Sequence, residues 1–252
     1  MPSLVGSEMC IRDSNKIKRY PTPAMSAITG YPVIADRTIR EEEYYWIWQG
    51  RTGLSLYHPA SEQISFASDF PNDTGKYHII KCIEKCRTQP GIWAASGNAC
   101  VVHLQHESMK MKCIQEIRIP DACQVRVLHE DDQGNLWIGT ENAIYQYSIS
   151  DGNMRRIHKD TGAINGIAIS PDKAIYYITE TPEFSCLPPD GQVHSIHKGE
   201  NYSSIIISPD NKIWTATLEG NVYSYHPQLQ TLAREDLSLI HISEPTRLGM
   251  IS

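Results

Sequence analysis

The sequence predicts an all-β fold built from about five repeated units of four short strands. Apolar and alternating segments of roughly five to seven residues are separated by turn residues. One such segment, with an aromatic or aliphatic residue at a matched position, returns about every 40 residues. No segment of helical length combines a 3.6-residue apolar period with capping residues. Short strands repeated at this interval are typical of a β-propeller, in which each unit is one radial four-stranded blade.

The repeat is clearest in the segment DDQGNLWIGT, which begins at Asp131 and ends at Thr140. An acidic turn containing Gly134 precedes the apolar run Leu136–Ile138, so the turn is expected to lead into the second strand of a blade. The aromatic residue of that strand is expected to fill the gap between neighbouring blades. Its burial there should contribute roughly 2–3 kcal/mol to the stability of the fold. The other units align with Trp137 at Ile47, Trp93, Tyr176 and Trp214.

The two ends of the chain differ from its middle. DNA that encodes Ser3–Ser14 encodes Leu237–Leu248 when its reverse complement is translated, and this segment resembles a sequencing adapter. We therefore expect residues 1–14 and 237–252 to be adapter-derived, residues 15–33 to be a linker or the tail of a preceding blade, and residues 34–236 to form the propeller. The five blades are expected at residues 34–72, 76–119, 122–160, 163–199 and 202–236. The chain is expected to be a fragment, a partial propeller of a larger ring.

Charge and motifs exclude several classes of protein. A formal net charge of −6 argues against a nucleic-acid partner, which would require a basic surface. No apolar run approaches the roughly 20 residues of a membrane helix, so no membrane segment is expected. The cysteines do not occur at zinc-binding spacing, and there is no GxxxxGK[ST] loop or GxSxG elbow. The sequence therefore predicts no cofactor, no metal and no catalytic residue.

One set of residues is a candidate site. The position eleven residues before each matched residue should begin the innermost strand of a blade, near the mouth of the central channel. It holds Asp36, Cys82, Arg126, Asn165 and Ser203. One interpretation is that these residues only hydrogen-bond neighbouring strand ends. The other is a mouth for a small polar ligand formed by Asp36, Arg126, Asn165 and Ser203, with Arg126 suited to a carboxylate or a planar hydroxylated group.

The third unit resembles the two-component regulator propeller repeat. Asp131, Gly134, the Leu136–Thr140 run and Tyr147 match its pattern, and Gly53, Leu54 and Tyr57 match part of it in the first unit. The resemblance implies a non-enzymatic sensor module of a bacterial hybrid two-component system, located in the periplasm or otherwise outside the cytoplasm. It also implies a partner, either a small ligand derived from a glycan or another protein.

A second segment, Asn165 to Thr181, is similar to the gluconolactonase (senescence-marker) propeller family. That resemblance implies a divalent cation held by carboxylate and amide side chains, with Asn165 as one ligand. Ser203 stands where the family pattern has an Asp, and Arg126-Val127 where it has an Asn-Asp pair. A metal-dependent hydrolase with a degenerate site is therefore one alternative function. A scaffold propeller that binds proteins through its rim is another.

Overall fold

The computed structural model describes residues 8–13, 16–21, 37–49, 53–66, 80–96, 99–160, 162–189 and 191–235. The chain divides into two compact units, Met1–Ile167 and Ala168–Ser252. Its strands form one two-stranded sheet and five four-stranded sheets, and among the described residues the only helical segment is a 3-10 turn at Pro120–Ala122. The predicted fold class, all-β with about five four-stranded blades, is confirmed.

The first unit contains a hairpin and three four-stranded sheets. The antiparallel hairpin is β1 (Glu8–Asp13) and β2 (Lys16–Pro21). The first sheet is β3 (Arg37–Glu41), β4 (Tyr44–Trp48), β5 (Leu54–His58) and β6 (Gln63–Phe66). The second is β7 (Ile80–Lys85), β8 (Ile92–Ser96), β9 (Cys100–Glu107) and β10 (Lys110–Arg118). The third is β11 (Val125–Glu130), β12 (Asn135–Thr140), β13 (Ala143–Ser148) and β14 (Met154–Lys159).

The remaining two sheets follow the same plan. The fourth is β15 (Ile164–Ile169), β16 (Ile175–Thr179), β17 (Glu183–Leu187) and β18 (His194–Lys198). The fifth is β19 (Tyr202–Ile207), β20 (Ile213–Thr217), β21 (Val222–His226) and β22 (Thr231–Glu235). The strands of each sheet neighbour one another in chain order. The boundary between the two units falls within β15.

The hairpin β1–β2 lies in the region that the sequence assigns to an adapter and a linker. Strands form there because a short chain with complementary backbone groups can pair regardless of its origin. Strand pairing does not test whether residues 1–14 derive from an adapter, so the adapter origin stays a prediction.

Two apolar clusters hold the first unit together. One lies between the first and second sheets and includes Trp46, Leu56, Ile83 and Val102. The other lies between the second and third sheets and includes Trp93 with residues of the third sheet. Side chains alternate between the two faces of a strand. The second sheet therefore supplies one of its faces to each cluster.

The aromatic residue of the first sheet is Trp46 rather than Ile47. Trp46 is fully buried among residues of the second sheet, as Trp93 is among residues of the third. Ile47 is the neighbouring residue on β4 and therefore points to the opposite face. The alignment made from the sequence was therefore wrong by one residue at this position, because a shift of one residue along a strand selects the opposite face.

The second unit has an aromatic core. Tyr176 and Phe184 of the fourth sheet pack with Tyr202, Tyr223 and Tyr225 of the fifth. Ring centroids lie 5.9 Å apart for Phe184 with Tyr202 and 6.1 Å apart for Tyr176 with Tyr225. Tilted and edge-to-face contacts at this distance are favourable between aromatic rings. In the described residues no helix is long and apolar enough to cross a membrane.

Candidate functional site

A β-bulge occurs near the start of the first strand in three of the five sheets. The strand register shifts between Ile80 and Cys82, between Val125 and Val127, and between Tyr202 and Ser204. The extra residue is left out of the hydrogen-bond ladder and its side chain is redirected. These bulge residues are Lys81, Arg126 and Ser203, and all three are exposed.

The bulges account for two of the four predicted site residues. Arg126 extends from β11 with its guanidinium 3.9 Å from the carboxylate of Glu141. Ser203 donates a hydrogen bond to the carbonyl of Ala216 at 3.2 Å, and it belongs to the second unit. Asn165 is the exposed second residue of β15. The predicted site residue Asp36 lies outside the described residues.

In the second sheet the bulge residue is Lys81, not Cys82. Trp93 pairs with Glu84, whereas Trp137 pairs with His129, so the second sheet has one residue more between its bulge position and its tryptophan. The residue eleven positions before Trp93 is therefore Cys82, one position after the bulge residue. Cys82 itself is half-buried, and burial raises the pKa of its thiol to about 12. The thiol is therefore protonated at neutral pH and is no candidate for a nucleophile.

In the first unit the first strands of the three sheets lie beside one another. Residue pairs of β3 and β7, and of β7 and β11, have Cα atoms within 8 Å of each other. Val127 Cγ1 and Ile164 Cγ2 lie 2.5 Å and 2.9 Å from the position that a Cβ of Gly139 would take, so the start of β15 approaches β11 and β12 at this point.

A cluster around the buried carboxylate of Glu84 was missed by sequence reasoning. Arg37 donates a hydrogen bond to Glu84 at 2.5 Å, and the other carboxylate oxygen of Glu84 lies 3.7 Å from Nδ1 of His129. Glu84 is 6% exposed. The three residues come from β3, β7 and β11, so one carboxylate joins three sheets. The signal in the sequence is that Glu84 and His129 precede Trp93 and Trp137 by nearly the same interval.

Burial dominates the titration of this cluster. It raises the pKa of the Glu84 carboxyl, an effect that Arg37 opposes. It also lowers the pKa of His129, and the positive charge of Arg87 acts in the same direction. Both shifts favour the neutral forms, as expected for ionisable groups removed from water.

Two other carboxylates, the buried Glu130 and the half-buried Glu41, have structural partners. Glu130 is fully buried and accepts hydrogen bonds from Trp93 Nε1 at 2.7 Å and from the backbone N–H of Thr88 at 2.9 Å. Glu41 accepts the indole N–H of Trp46 at 2.7 Å and the backbone N–H of Gly91 at 2.5 Å. Because their oxygens are taken up by donors from the neighbouring sheet or strand, these carboxylates hold sheets together.

The bulge residues Lys81 and Arg126 are exposed and can form hydrogen bonds with a partner. Lysine and arginine side chains offer hydrogen-bond donors and no acceptor, and no nucleophile–base pair accompanies them among the contacts of the described residues. Nor does any group of three His, Cys, Asp or Glu side chains in that part of the chain have the arrangement needed to hold a metal ion.

The repeat that carries Arg126 matches a known family. Residues 119–142 match the two-component regulator propeller. No curated protein sequence matches the chain significantly.

The fold is shared with several solved structures. Two are extracellular domains of proteins described as hybrid two-component systems of B. thetaiotaomicron, BT4673 and BT3049. Each is 17% identical to this chain with a TM-score of 0.63, over 92% and 91% of this chain and 32% of the other chain in both cases. A third is a luciferin-regenerating enzyme, 14% identical with a TM-score of 0.60, over 81% of this chain and 75% of the enzyme. The chain thus spans about a third of the length of the two bacterial domains.

Identities this low establish the fold alone, whereas the family match covers β11 and β12 of the third sheet. The chain is an all-β protein of propeller blades that carries a two-component regulator propeller repeat at residues 119–142.

Proposed function

We propose that the chain is a non-enzymatic, ligand-binding propeller module of a signal-transduction protein that acts outside the cytoplasm. The observation that carries the proposal is the exposed bulge at Arg126, which lies inside the matched repeat at residues 119–142. Bulges are common next to binding sites because they redirect a side chain out of the sheet. The extracellular position of the similar bacterial domains supports the proposed location.

The proposed ligand is small and polar, for example a glycan breakdown product. Arg126 and Asn165 are exposed on neighbouring strands of the first unit and offer charged and neutral hydrogen-bond donors. Asp36 is assigned to the proposed site on the basis of the repeat, and Ser203 occupies the equivalent bulge of the second unit. In ligand sites a small number of placed polar groups fix the orientation of the ligand, and Arg126 and Asn165 are proposed for that role.

Ligand binding can be tested with a variant matched for charge. Thermal shift and calorimetric titration against small saccharides and sugar acids would identify a ligand, and Arg126→Ala should then weaken its binding. Arg155→Ala removes an equivalent exposed charge from β14, where Arg155 bonds Gln146 at 2.8 Å, and should leave the affinity unchanged. Equal affinities for the two variants would favour a scaffold propeller that binds proteins through its rim.

A lactonase-like hydrolase is the second candidate function. The fold shared with a luciferin-regenerating enzyme and the exposed position of Asn165 on β15 favour it. Hydrolysis of simple lactones by the purified chain, dependent on an added divalent cation and lost in Asn165→Ala, would establish this activity. Retention of any hydrolysis in Asn165→Ala would point to a contaminating enzyme.

A further inference from the structure

We propose that one face of the fifth sheet is an interface that receives a further four-stranded blade of the same propeller. This face, which we call the open face, carries Ile206 of β19, Trp214 and Ala216 of β20, and Val222 of β21. Ile206 pairs with Trp214, and Ala216 pairs with Val222. Directly opposite residues of antiparallel strands point to the same side of a sheet, so the four side chains are neighbours. The other face of the fifth sheet packs against the fourth.

The open face is apolar and accessible. Ile206 is 62% exposed, and Trp214, Ala216 and Val222 are each half-buried. Apolar side chains that are exposed together, rather than singly, indicate a contact site for another protein surface.

The second sheet shows what covers a face of this composition. Three residues of the open face have identical counterparts there: Trp214 and Trp93, Ala216 and Ala95, and Val222 and Val101. The pairing is also the same, with the alanine opposite the valine in each sheet. All three counterparts are 0% exposed, within the cluster that the second sheet forms with the third. The open face thus has the residues of a contact between blades.

The polar groups of the open face need no partner from its occupant. Trp93 donates its indole N–H to Glu130 of the covering sheet, whereas Trp214 donates its own to Ser208 Oγ at 3.2 Å, within the fifth sheet. Opposite Trp214 stands Ile206, which has no group to ionise. A covering surface can therefore be wholly apolar without leaving a donor unsatisfied.

The covering faces of known contacts define the chemistry of the occupant. Both the third and the fifth sheets cover the sheet before them with aliphatic residues of their first two strands and tyrosine of their third. These residues are Leu128, Ile138 and Tyr145 in the third sheet and Ile205, Ile213 and Tyr223 in the fifth. We therefore assign the open face to a blade with this covering face. The two bacterial domains that share the fold are longer than this chain, which covers 32% of each.

An added repeat tests the assignment in the full chain. Residues 199–236 would be inserted a second time between Asp236 and Leu237, because the covering face of this repeat already packs against the fourth sheet. Stacked repeats stabilise one another through the contacts between neighbours. We expect the added sheet to cover the open face and to raise the melting temperature by about 5 °C.

Ile206→Lys distinguishes docking on the open face from other causes of stabilisation. In the chain without the insert, Ile206 is mostly exposed, so the change should shift the melting temperature by less than about 2 °C. In the extended chain the same change places an ammonium group inside the contact and should abolish the gain. Ile114→Lys is the matched control, because Ile114 is 52% exposed on the outer strand β10, and it should leave the gain intact.

The possible outcomes support or overturn the assignment without involving any ligand. An equal gain with and without Ile206→Lys overturns it, because the insert then acts elsewhere. If the first insert gives no gain, a second is tested, residues 119–160, whose sheet covers Trp93; failure of both overturns the assignment. Sedimentation velocity of the chain without an insert tests a second copy as occupant. A dimer that Ile206→Lys dissociates, with no gain from either insert, would assign the open face to that second copy and overturn the blade.

Discussion

Trp137 donates its indole N–H to the carboxylate of Asp131 at 2.9 Å, and this bond ties the turn before β12 to the strand it introduces. The same carboxylate accepts the backbone N–H groups of Gln133 and Asn135, each at 2.9 Å. Gly134 occupies the turn with φ of +76°, a conformation that glycine adopts without steric cost. The acidic residue of the repeat is thus the centre of the turn rather than a ligand group.

Removal of the Asp131 carboxylate should destabilise the third sheet. Asp131→Ala leaves the partly buried indole N–H and two backbone donors without their acceptor. This loss should lower the free energy of unfolding by about 1–3 kcal/mol. Urea unfolding of the purified chain measures this loss. Asp132→Ala is the control, because the Asp132 side chain is 87% exposed and should change stability by less than about 0.5 kcal/mol. Equal losses in the two variants would contradict this role of Asp131.

The Asp131 bonds also predict an acid-dependent loss of stability. Burial acts to raise the pKa of Asp131, but the hydrogen bonds from Trp137, Asn135 and Gln133 outweigh it and lower the pKa below its usual 3.8. A carboxyl with a lowered folded-state pKa contributes stability above its unfolded pKa and loses it as the pH falls through the folded value. Asp131→Asn should therefore flatten the acid limb of a melting-temperature profile measured below about pH 4. An unchanged acid limb would contradict the assignment.

The contact between Glu130 and Trp93 should couple the second and third sheets. Glu130→Ala leaves Trp93 Nε1 and the Thr88 N–H without a hydrogen-bond acceptor. Each unsatisfied donor should lower the free energy of unfolding by roughly 1–3 kcal/mol. A double-mutant cycle with Trp93→Phe, which removes the indole donor and keeps an aromatic ring, isolates the direct bond. We expect the double variant to be more stable than the sum of the single effects predicts. Strict additivity would show that the hydrogen bond contributes nothing to the packing of the sheets.

Glu84 should make stability decrease as the pH rises. Burial raises its pKa above the ordinary 4.5 despite Arg37, so its contribution is fully present below the unfolded pKa and is lost as the pH rises through the folded value. Glu84→Gln keeps an acceptor for Arg37 and removes the titration. The variant should gain stability of order 1 kcal/mol at about pH 8 and none at about pH 4.

The control for Glu84 is Glu84→Ala, which leaves Arg37 without its partner and should destabilise the chain at both pH values. Melting temperatures across the pH range measure both variants. If Glu84→Gln were less stable than the parent at alkaline pH, the ionised carboxylate would be favoured by the fold and the direction of the pKa shift would be wrong.

Gly139 is required by the close approach of β11 and β15. A Cβ at this position would lie 2.5 Å from Val127 Cγ1 and 2.9 Å from Ile164 Cγ2. Gly139→Ala should therefore cost about 1–3 kcal/mol of stability through overpacking. Val127→Ala in the same chain removes the nearest atom and should restore part of the loss. Urea unfolding of the single and double variants tests this, and the absence of any rescue would mean that Ile164, whose Cγ2 and Cβ lie 2.9 and 3.0 Å from the same position, sets the cost.

The sequence by itself determined the fold class and the repeat. A period of about 40 residues, acidic turns and an aromatic strand residue arise from local chain geometry, so the pattern around Asp131 and Trp137 could be predicted. Counting residues back from Trp137 and Trp214 also reached the bulges at Arg126 and Ser203.

Only the tertiary structure decided which residues those patterns bring together. Counting failed at Trp46 and at Lys81, because a one-residue change in a turn moves every later side chain to the other face of its strand. The cluster of Arg37, Glu84 and His129 could not be predicted either. Its members lie about 45 residues apart in sequence, and they meet only because packing of the apolar clusters brings the inner strands of three sheets against one another.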